Sequence, residues 1–415
     1  MATPVRSKPS RPGRPAELPV PAAPGASQEE IRRQNLGAVL RFVHVHGPTS
    51  RAELTGRLGL NRSTIGALAA DLAAAGLVTE EAEAPTAARR AGRPSRVVSP
   101  CSSRVYTYAL SIEADRLRAA RVGLGGRILD LREIPRPPGL PVLDAVAPLA
   151  GFLQAMRDSA ASDALPPIGG AVAMADTSRD AEGRIRIGAT DERLGAALGE
   201  ALAAGPGFVT GDMADIAALA EHVRGVAAGI NDLIYLHGDL GVSAGIITGG
   251  RLVAGHRGHG GKVGHMVVNP HGLPCGCGSR GCWETEIGEN ALLRHAGRAP
   301  GDRAAVLEVL GSAAGGEPVA RAAVGQVADW LGFGVANLVN VVNPDLVVFG
   351  GSLREVYAAG AGEVRRRLDA MALPASREHV QLRAAALGRN AALIGAAELA
   401  FEQLLADPLG AGVAG

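Results

Sequence analysis

Three of the four cysteines in this 415-residue chain fall within eight residues, as Cys275-Gly276-Cys277 and, after four intervening residues, Cys282. His265 lies ten residues before the first of them. Three thiolates and one imidazole complete a tetrahedral zinc shell, and Gly276, Gly278 and Gly281 let a loop wrap an ion. Four protein ligands leave no open position, so this pattern predicts structural rather than catalytic zinc. His256, His259 and His271 compete with His265 for the fourth place. Clustered thiols of this kind point to a reducing compartment, not to a disulfide framework. Cys101 stands apart as an incidental thiol.

A second chemistry lies near the other end of the chain. Asn61, Arg62, Ser63 and Thr64 open a helical pattern that runs through Ile65, Leu68 and Leu72 and stops at Gly76. Arg can take guanine, Asn can take adenine, and Ser or Thr can take base or phosphate. Two helices must precede it. Ile31, Leu36, Val39, Leu40 and Val43 recur at helical spacing over 29–46, and Gly47-Pro48 ends that run. Ser50-Arg51-Ala52-Glu53 then fits a capping box for a short helix carrying Ala52, Leu54 and Leu58. Gly59-Leu60 turns the chain into the third helix, with Asn61 as its cap. Leu77-Val78 and Arg96-Val97-Val98 read as a two-stranded ribbon, and Arg89, Arg90, Gly92 and Arg93 lie in its loop. Helix, helix, short turn, helix and ribbon make a winged helix-turn-helix. The third helix would enter the major groove, with Ser50 and Arg51 also among the DNA contacts. Small residues between arginines would let the loop sit in the minor groove.

The remaining elements form a different body. Strands are predicted over 105–112, 117–122, 127–131, 232–237, 243–248 and 346–349. Helices are predicted around 141–157, 189–204, 213–228 and 390–405, with one long helix through Val324, Val327, Leu331, Val335 and Leu338. Alternating strands and helices over some 300 residues predict an α/β body of two lobes around a cleft. The expected organisation is a flexible basic arm at 1–27, a DNA-binding domain at 28–99 and a larger domain at 105–405.

Composition sets the limits. Hydrophobic residues make up 47% and charged residues 20%, which excludes a disordered chain. Gly, Arg, Asp or Glu interrupts every apolar run, so no membrane span is expected. No apolar signal core follows the basic N-terminus, and a cytoplasmic location is expected. The net charge of +1 is a cancellation: residues 1–99 carry 14 basic and 8 acidic residues, and the remainder 28 and 33. The polyanion-binding charge is thus concentrated in the first hundred residues.

Several segments together resemble the ROK family (repressors, open reading frames, kinases). Gly261-Lys262-Val263-Gly264-His265 followed by Cys275 to Glu284 resembles its zinc signature. Gly241 to Ile247 with Gly249-Gly250-Arg251-Leu252 is similar to its phosphate-side segment. Asn343 to Leu353 resembles its adenosine-side strand and turn, and Asn390 to Ala397 its closing helix. The resemblance covers about 105–405 and implies an actin-like fold with two lobes of ribonuclease H type. The winged helix in front resembles the transcription-factor branch.

Departures from the kinase pattern are specific. Family kinases hold phosphate with an Asp-x-Gly-Gly-Thr turn, and this chain has Ser111-Ile112-Glu113-Ala114-Asp115 there. Both glycines are gone and two carboxylates stand where phosphate would sit. The family's Asn-Asp sugar pair matches Gly211 and Asp212, and its Glu-x-Gly-His has become Lys262-x-Gly264-His265. Glu284 matches a family sugar-binding Glu. Gly211, Asp212, Lys262, His265 and Glu284 are therefore the candidate ligand residues, for a sugar or an acidic or phosphorylated sugar. Asp212 could equally cap a helix, and Lys262 could equally pair with a nearby carboxylate. The expected function is a repressor of carbohydrate-related genes that binds a palindromic operator as a homodimer or homotetramer and responds to a sugar-like effector. The alternatives are a sugar kinase with an added DNA module and a ligand-blind DNA-binding dimer.

Overall fold

A computed structural model describes residues 27–82, 95–137, 140–160, 162–174, 191–201, 207–239, 241–301 and 303–410. The expected basic arm up to residue 26 and the loop residues Arg89, Arg90, Gly92 and Arg93 lie outside the described residues.

Three helices and a small sheet form the first unit. Helix α1 (Gln28–His46) starts at a full capping box that the sequence reading had not marked. Ser27 Oγ accepts from the Glu30 amide at 3.2 Å, and the Glu30 carboxylate accepts from the Ser27 amide at 2.8 Å. It buries Leu36, Val39, Leu40 and Val43 and ends at Gly47, whose φ is 77°. Ile31, assigned to the same face by spacing, is exposed because the first turns of α1 project past the core. A two-residue strand β1 (Thr49–Ser50) leads into α2 (Arg51–Leu58). Ser50 Oγ caps α2 by accepting from the Glu53 amide at 3.2 Å. Its capping box is only half made, because the Glu53 carboxylate lies 4.0 Å from Arg57 one turn on. Leu54 and Leu58 are buried, while Ala52 faces solvent. Gly59, at φ 68°, turns the chain into α3 (Arg62–Ala74), which buries Ile65, Leu68 and Leu72. Strands β2 (Val78–Ala82) and β3 (Arg96–Pro100) pair antiparallel, with Val78 opposite Pro100. The expected ribbon gains a third strand, since β1 pairs with β3 through Thr49 and Val98.

Two five-stranded sheets follow, built to one plan. Strands β4 (Tyr106–Ile112), β5 (Arg116–Gly123) and β6 (Arg127–Pro135) form an antiparallel meander. After α4 (Val146–Asp158), strand β7 (Gly170–Met174) joins β4 in parallel. Past α5 (Asp191–Ala201), β8 (Phe208–Asp212) joins β7 in parallel, giving the order β6-β5-β4-β7-β8. Helix α6 (Met213–Arg224) leads into the second lobe. There β9 (Leu233–Gly238), β10 (Val242–Thr248) and β11 (Arg251–Leu252) repeat the meander. Short helices α7 (Glu284–Ile287) and α8 (Glu289–His295) precede α9 (Arg303–Ala314) and α10 (Pro318–Val342). Strand β12 (Leu346–Gly351), α11 (Ser352–Met371), α12 (Pro374–Arg377) and β13 (Gln381–Ala384) complete the sheet β11-β10-β9-β12-β13. The last helix, α13 (Ala391–Ala406), crosses back to pack on β4 and β7. This is the expected two-lobed, actin-like α/β architecture with a winged helix-turn-helix in front.

Two findings depart from the sequence reading. Helix α10 is long and apolar enough to cross a membrane by length and composition, the only such helix among the described residues. It is the spine of the second lobe, with Val327, Leu331 and Val335 in the core. The second finding concerns the break near residue 100. Leu40, Val43, Leu54, Ile65 and Leu72 of the winged unit form one continuous core with Val122, Leu393, Phe401, Leu404 and Leu405 of the first lobe. At that seam α1 lies so close to α13 that a Cβ on Gly37 would stand 2.7 Å from the Leu405 carbonyl oxygen.

Candidate functional site

The cysteine loop hangs from the second-lobe core. Trp283, next to Cys282, is fully buried, and its indole Nε1 donates to the Trp330 carbonyl of α10 at 2.8 Å. The loop closes on itself through the Cys275 amide, which donates to Ser279 O at 2.9 Å, and through a pairing of Val267 with Cys282. These bonds gather one ligand atom each from His265, Cys275, Cys277 and Cys282, all within 4.8 Å of one another. Cys277 Sγ and Cys282 Sγ are 3.6 Å apart, and Cys275 Sγ is 3.6 Å from His265 Nδ1. A tetrahedron with Zn–S bonds of about 2.3 Å has edges of about 3.7 Å, close to these two separations, so the donor set suits a metal ion. His265, rather than His256, His259 or His271, lies in the cluster with the three cysteines. Burial pushes the Cys275 and Cys282 thiols above their ordinary range.

Glu284 sits against this cluster. Its Oε1 is 2.9 Å from Cys275 Sγ and 3.6 Å from His265 Nδ1, so one carboxylate oxygen faces the metal corner. Its Oε2 faces Gly241 at the start of β10. Glu284 thus bridges the His265–Cys275 end of the cysteine loop and the start of β10.

Asp212 ends β8 and caps α6. Its Oδ1 accepts from the Ala214 amide at 2.8 Å and from Ser243 Oγ at 3.4 Å. Its Oδ2 accepts from Lys262 Nζ at 2.6 Å. Both bland alternatives for these residues are realised at once: the carboxylate is a helix cap and also the partner of Lys262. A hydroxyl seeking Asp212 must compete with an ammonium for the same oxygen. Gly211 contributes backbone beside the Ile216 side chain. Next to this pair, Asp215 is held up to about 7, chiefly by burial and also by the charge of Asp212, with Lys262 opposing.

The turn after β4 is filled by its own side chains. Ser111 Oγ donates to Glu113 Oε1 at 2.6 Å, and Arg116 grips Asp115 through two bonds of 2.9 and 2.5 Å. Arg118, buried, lies 3.7 Å from Glu113 and donates to Asn390 Oδ1 at 2.8 Å. Arg136 donates to the Glu113 carbonyl at 2.9 Å. Positive charge is thus already matched to carboxylates where a kinase would hold phosphate. On the adenosine side, the Tyr235 hydroxyl occupies the space a Cβ on Gly350 would need, 1.8 Å away. That glycine serves close packing.

In the winged unit, Asn61 Oδ1 accepts from the Thr64 amide at 2.8 Å and from Ser63 Oγ at 2.7 Å. The side-chain oxygen of Asn61 and the hydroxyl of Ser63 are thus engaged in the cap. Arg62 and Ser63 are exposed on the first turn of α3, and Arg62 has no ion-pair partner among the described residues. Arg51 is placed differently from the sequence expectation. Its guanidinium forks onto Glu80 of β2 with bonds of 2.6 and 2.5 Å, so it ties α2 to the wing. Arg96 of β3 approaches the same carboxylate at 3.6 Å. Sequence reasoning missed Glu80; a carboxylate two residues along the strand from buried Val78, on the same face, was the available signal. It also missed Ser243, which the packing of α6 on β10 brings to Asp212.

Comparison with known proteins agrees with this geometry. The family model described as the ROK family matches residues 107–403. A xylose repressor of Bacillus spizizenii is 24% identical over 92% of this chain and 98% of its own length. A glucokinase of Halalkalibacterium halodurans is 32% identical over 46% of this chain, and the chain spans 62% of that relative's length. A crystal structure of a ROK family transcriptional regulator, a homolog of the E. coli MLC protein, superposes with a TM-score of 0.73 at 22% identity, over 93% of this chain and all of its own. Its likeness extends through the winged unit and shows the fold. With two matching lobes, a cluster of one histidine and three cysteines, and a family match across nearly the whole of the larger body, the chain belongs to the ROK family.

Proposed function

We propose that this chain is a sugar-responsive transcriptional repressor of carbohydrate-related genes, acting in the cytoplasm. One observation carries the reading: a winged helix-turn-helix, with α3 presenting Arg62 and Ser63 outward, is fused through a continuous core to a ROK body whose phosphate turn is filled by its own ion pairs. The xylose repressor likeness supports it because it runs along 92% of the chain, whereas the glucokinase likeness covers 46%. Arg62, Ser63 and Thr64 read the major groove, Ser50 holds the start of α2 and Asn61 that of the reading helix, and Arg89, Arg90, Gly92 and Arg93 follow the minor groove. Arg51 acts through Glu80 by fixing the wing. Two-fold pairing as a homodimer, or within a homotetramer, places two reading helices on a palindrome.

The ion is zinc, held by His265, Cys275, Cys277 and Cys282. It supplies no chemistry beyond closing the loop, because the shell is complete. The effector enters beside Asp212, Lys262, His265 and Glu284. Lys262 favours a sugar acid or sugar phosphate, which would draw the ammonium off Asp212. The chain does not act as a kinase.

Electrophoretic shift of duplexes selected from a random pool, repeated with pentoses, hexoses and their acids and phosphates, tests this reading. Retarded palindromic DNA that one sugar class releases is the expected result. Binding indifferent to every sugar removes sensing and leaves a ligand-blind DNA-binding dimer. ATP turnover on the same sugars above background overturns the non-enzymatic assignment.

A further inference from the structure

The seam between the winged unit and the body contains one buried polar node. His44, in the last turn of α1, is fully buried. The Gly125 amide donates to its Nδ1 at 2.9 Å, so the ring proton sits on Nε2, which meets Glu398 Oε2 of α13 at 3.0 Å. The other oxygen, Glu398 Oε1, accepts from Arg224 Nε at 2.5 Å. Arg224 Nη2 then reaches the carbonyl oxygen of His44 at 3.1 Å, and Nη1 that of Val45 at 3.5 Å. Those carbonyls belong to the last turn of α1, which has no further turn to satisfy them. Arg224 therefore holds the end of the first DNA-module helix and the acid of α13 at once.

Arg224 is also the last residue of α6, whose cap is Asp212. Twelve residues of helix make a rod of about 18 Å. One end is pinned by Lys262, and the other is clamped on α1. The rod cannot slip against α13, because Gly395 lets the two helices touch: a Cβ there would lie 1.9 Å from the Ile216 carbonyl oxygen. Packed elements of this kind shift as bodies rather than deform.

We propose that Arg224 is the positioning residue that couples the cleft to the DNA-binding module, with α6 as the connecting rod between the Asp212–Lys262 pair and the end of α1. The proposal deepens the repressor reading by naming its line of transmission, and it rests on that reading only for its biological use. A ligand transmits along the rod to the extent that it binds the two rod positions with different affinity.

Hydrogen–deuterium exchange of the full chain tests the link without DNA or effector. The probe is the α1 peptide covering residues 38–47. Lys262→Met breaks the distant pair and is expected to speed exchange of that peptide by about fivefold, the lower range of measured couplings. In an Arg224→Lys background, which keeps the charge but loses the fork, the same change is expected to have no effect. Asp212→Asn, which keeps a capping side chain, supplies the same break should Lys262→Met lower overall stability. Unchanged α1 exchange on breaking the pair, or an equal increase in both backgrounds, overturns the proposal. Because no duplex is involved, a chain that binds no DNA would sink the repressor reading and leave this result standing.

Discussion

Single side chains decide what the cleft can do. Asp212 retains the family's acid, yet Lys262 occupies it at 2.6 Å, so this carboxylate is not free to act as a base toward a sugar hydroxyl. Asp215 beside it gives a pH signature. Its folded value is raised to about 7, so its contribution to stability is fully present below the ordinary aspartate range and is lost as pH rises through about 7. Asp215→Asn should remove that loss. Melting curves at pH 6 and 8 should show the wild type falling relative to the variant at the higher pH. A constant difference would mean Asp215 is ionised throughout. Glu398 runs the other way: burial pushes its carboxyl up, but His44 and Arg224 outweigh burial and hold it below the carboxylate range. At the cysteine cluster, Cys282→Ser removes a buried thiol next to Trp283 that the proposed zinc would use. A cost of about 2 kcal/mol or more is expected, lowering Tm by roughly 5 °C, with loss of the bound ion by elemental analysis. An unchanged Tm and metal content would remove the cluster's structural role.

Elements set the accuracy of the DNA surface. Helix α3 is capped by Asn61 and buried through Ile65, Leu68 and Leu72, which leaves its first turn outward. Arg62→Ala should weaken duplex binding by about 1–3 kcal/mol and relax preference at one base position. Fluorescence anisotropy on single-base variants of the selected site checks this, and uniform weakening across sequences would make Arg62 a phosphate contact instead. Glu80→Gln leaves Arg51 without its charged partner and loosens the wing from α2. Its signature is a weaker complex with unchanged base preference, because the wing positions the module rather than reading bases. The caps and turns behind these elements were legible, since they depend on residues three or four apart. Short buried strands such as β7, and α11 with its kink at Gly360, escaped notice because a brief apolar run carries no period of its own.

At the scale of the whole molecule, the winged unit is docked and not tethered. Its core runs into Phe401, Leu404 and Leu405 of α13. A chain beginning at residue 101 should therefore expose an apolar seam, melt lower than the full chain and self-associate, as light scattering would detect. Equal stability and a clean monodisperse body would show that the two units fold independently. The charge split adds a second expectation. Residues 1–99 carry a net +6, so affinity for duplex should fall steeply between 50 and 200 mM salt, by about 10³ or more if six phosphates are neutralised.

By itself the sequence determined which histidine and cysteines cluster, the winged helix-turn-helix, the loss of the phosphate turn and the alternation of strands and helices. Each is written in neighbouring residues: thiol spacing, caps, apolar periods and a motif whose glycines are missing. Tertiary structure alone decided that Lys262 silences Asp212, 50 residues away, and that Arg51 belongs to Glu80, 29 residues away. It alone joined His44 to Glu398 across 354 residues and set Arg224 between them. The reason is that a charged side chain takes whichever partner packing brings within about 3 Å in a low-dielectric seam. That partner is fixed by how α1, α6 and α13 cross, which no local pattern records.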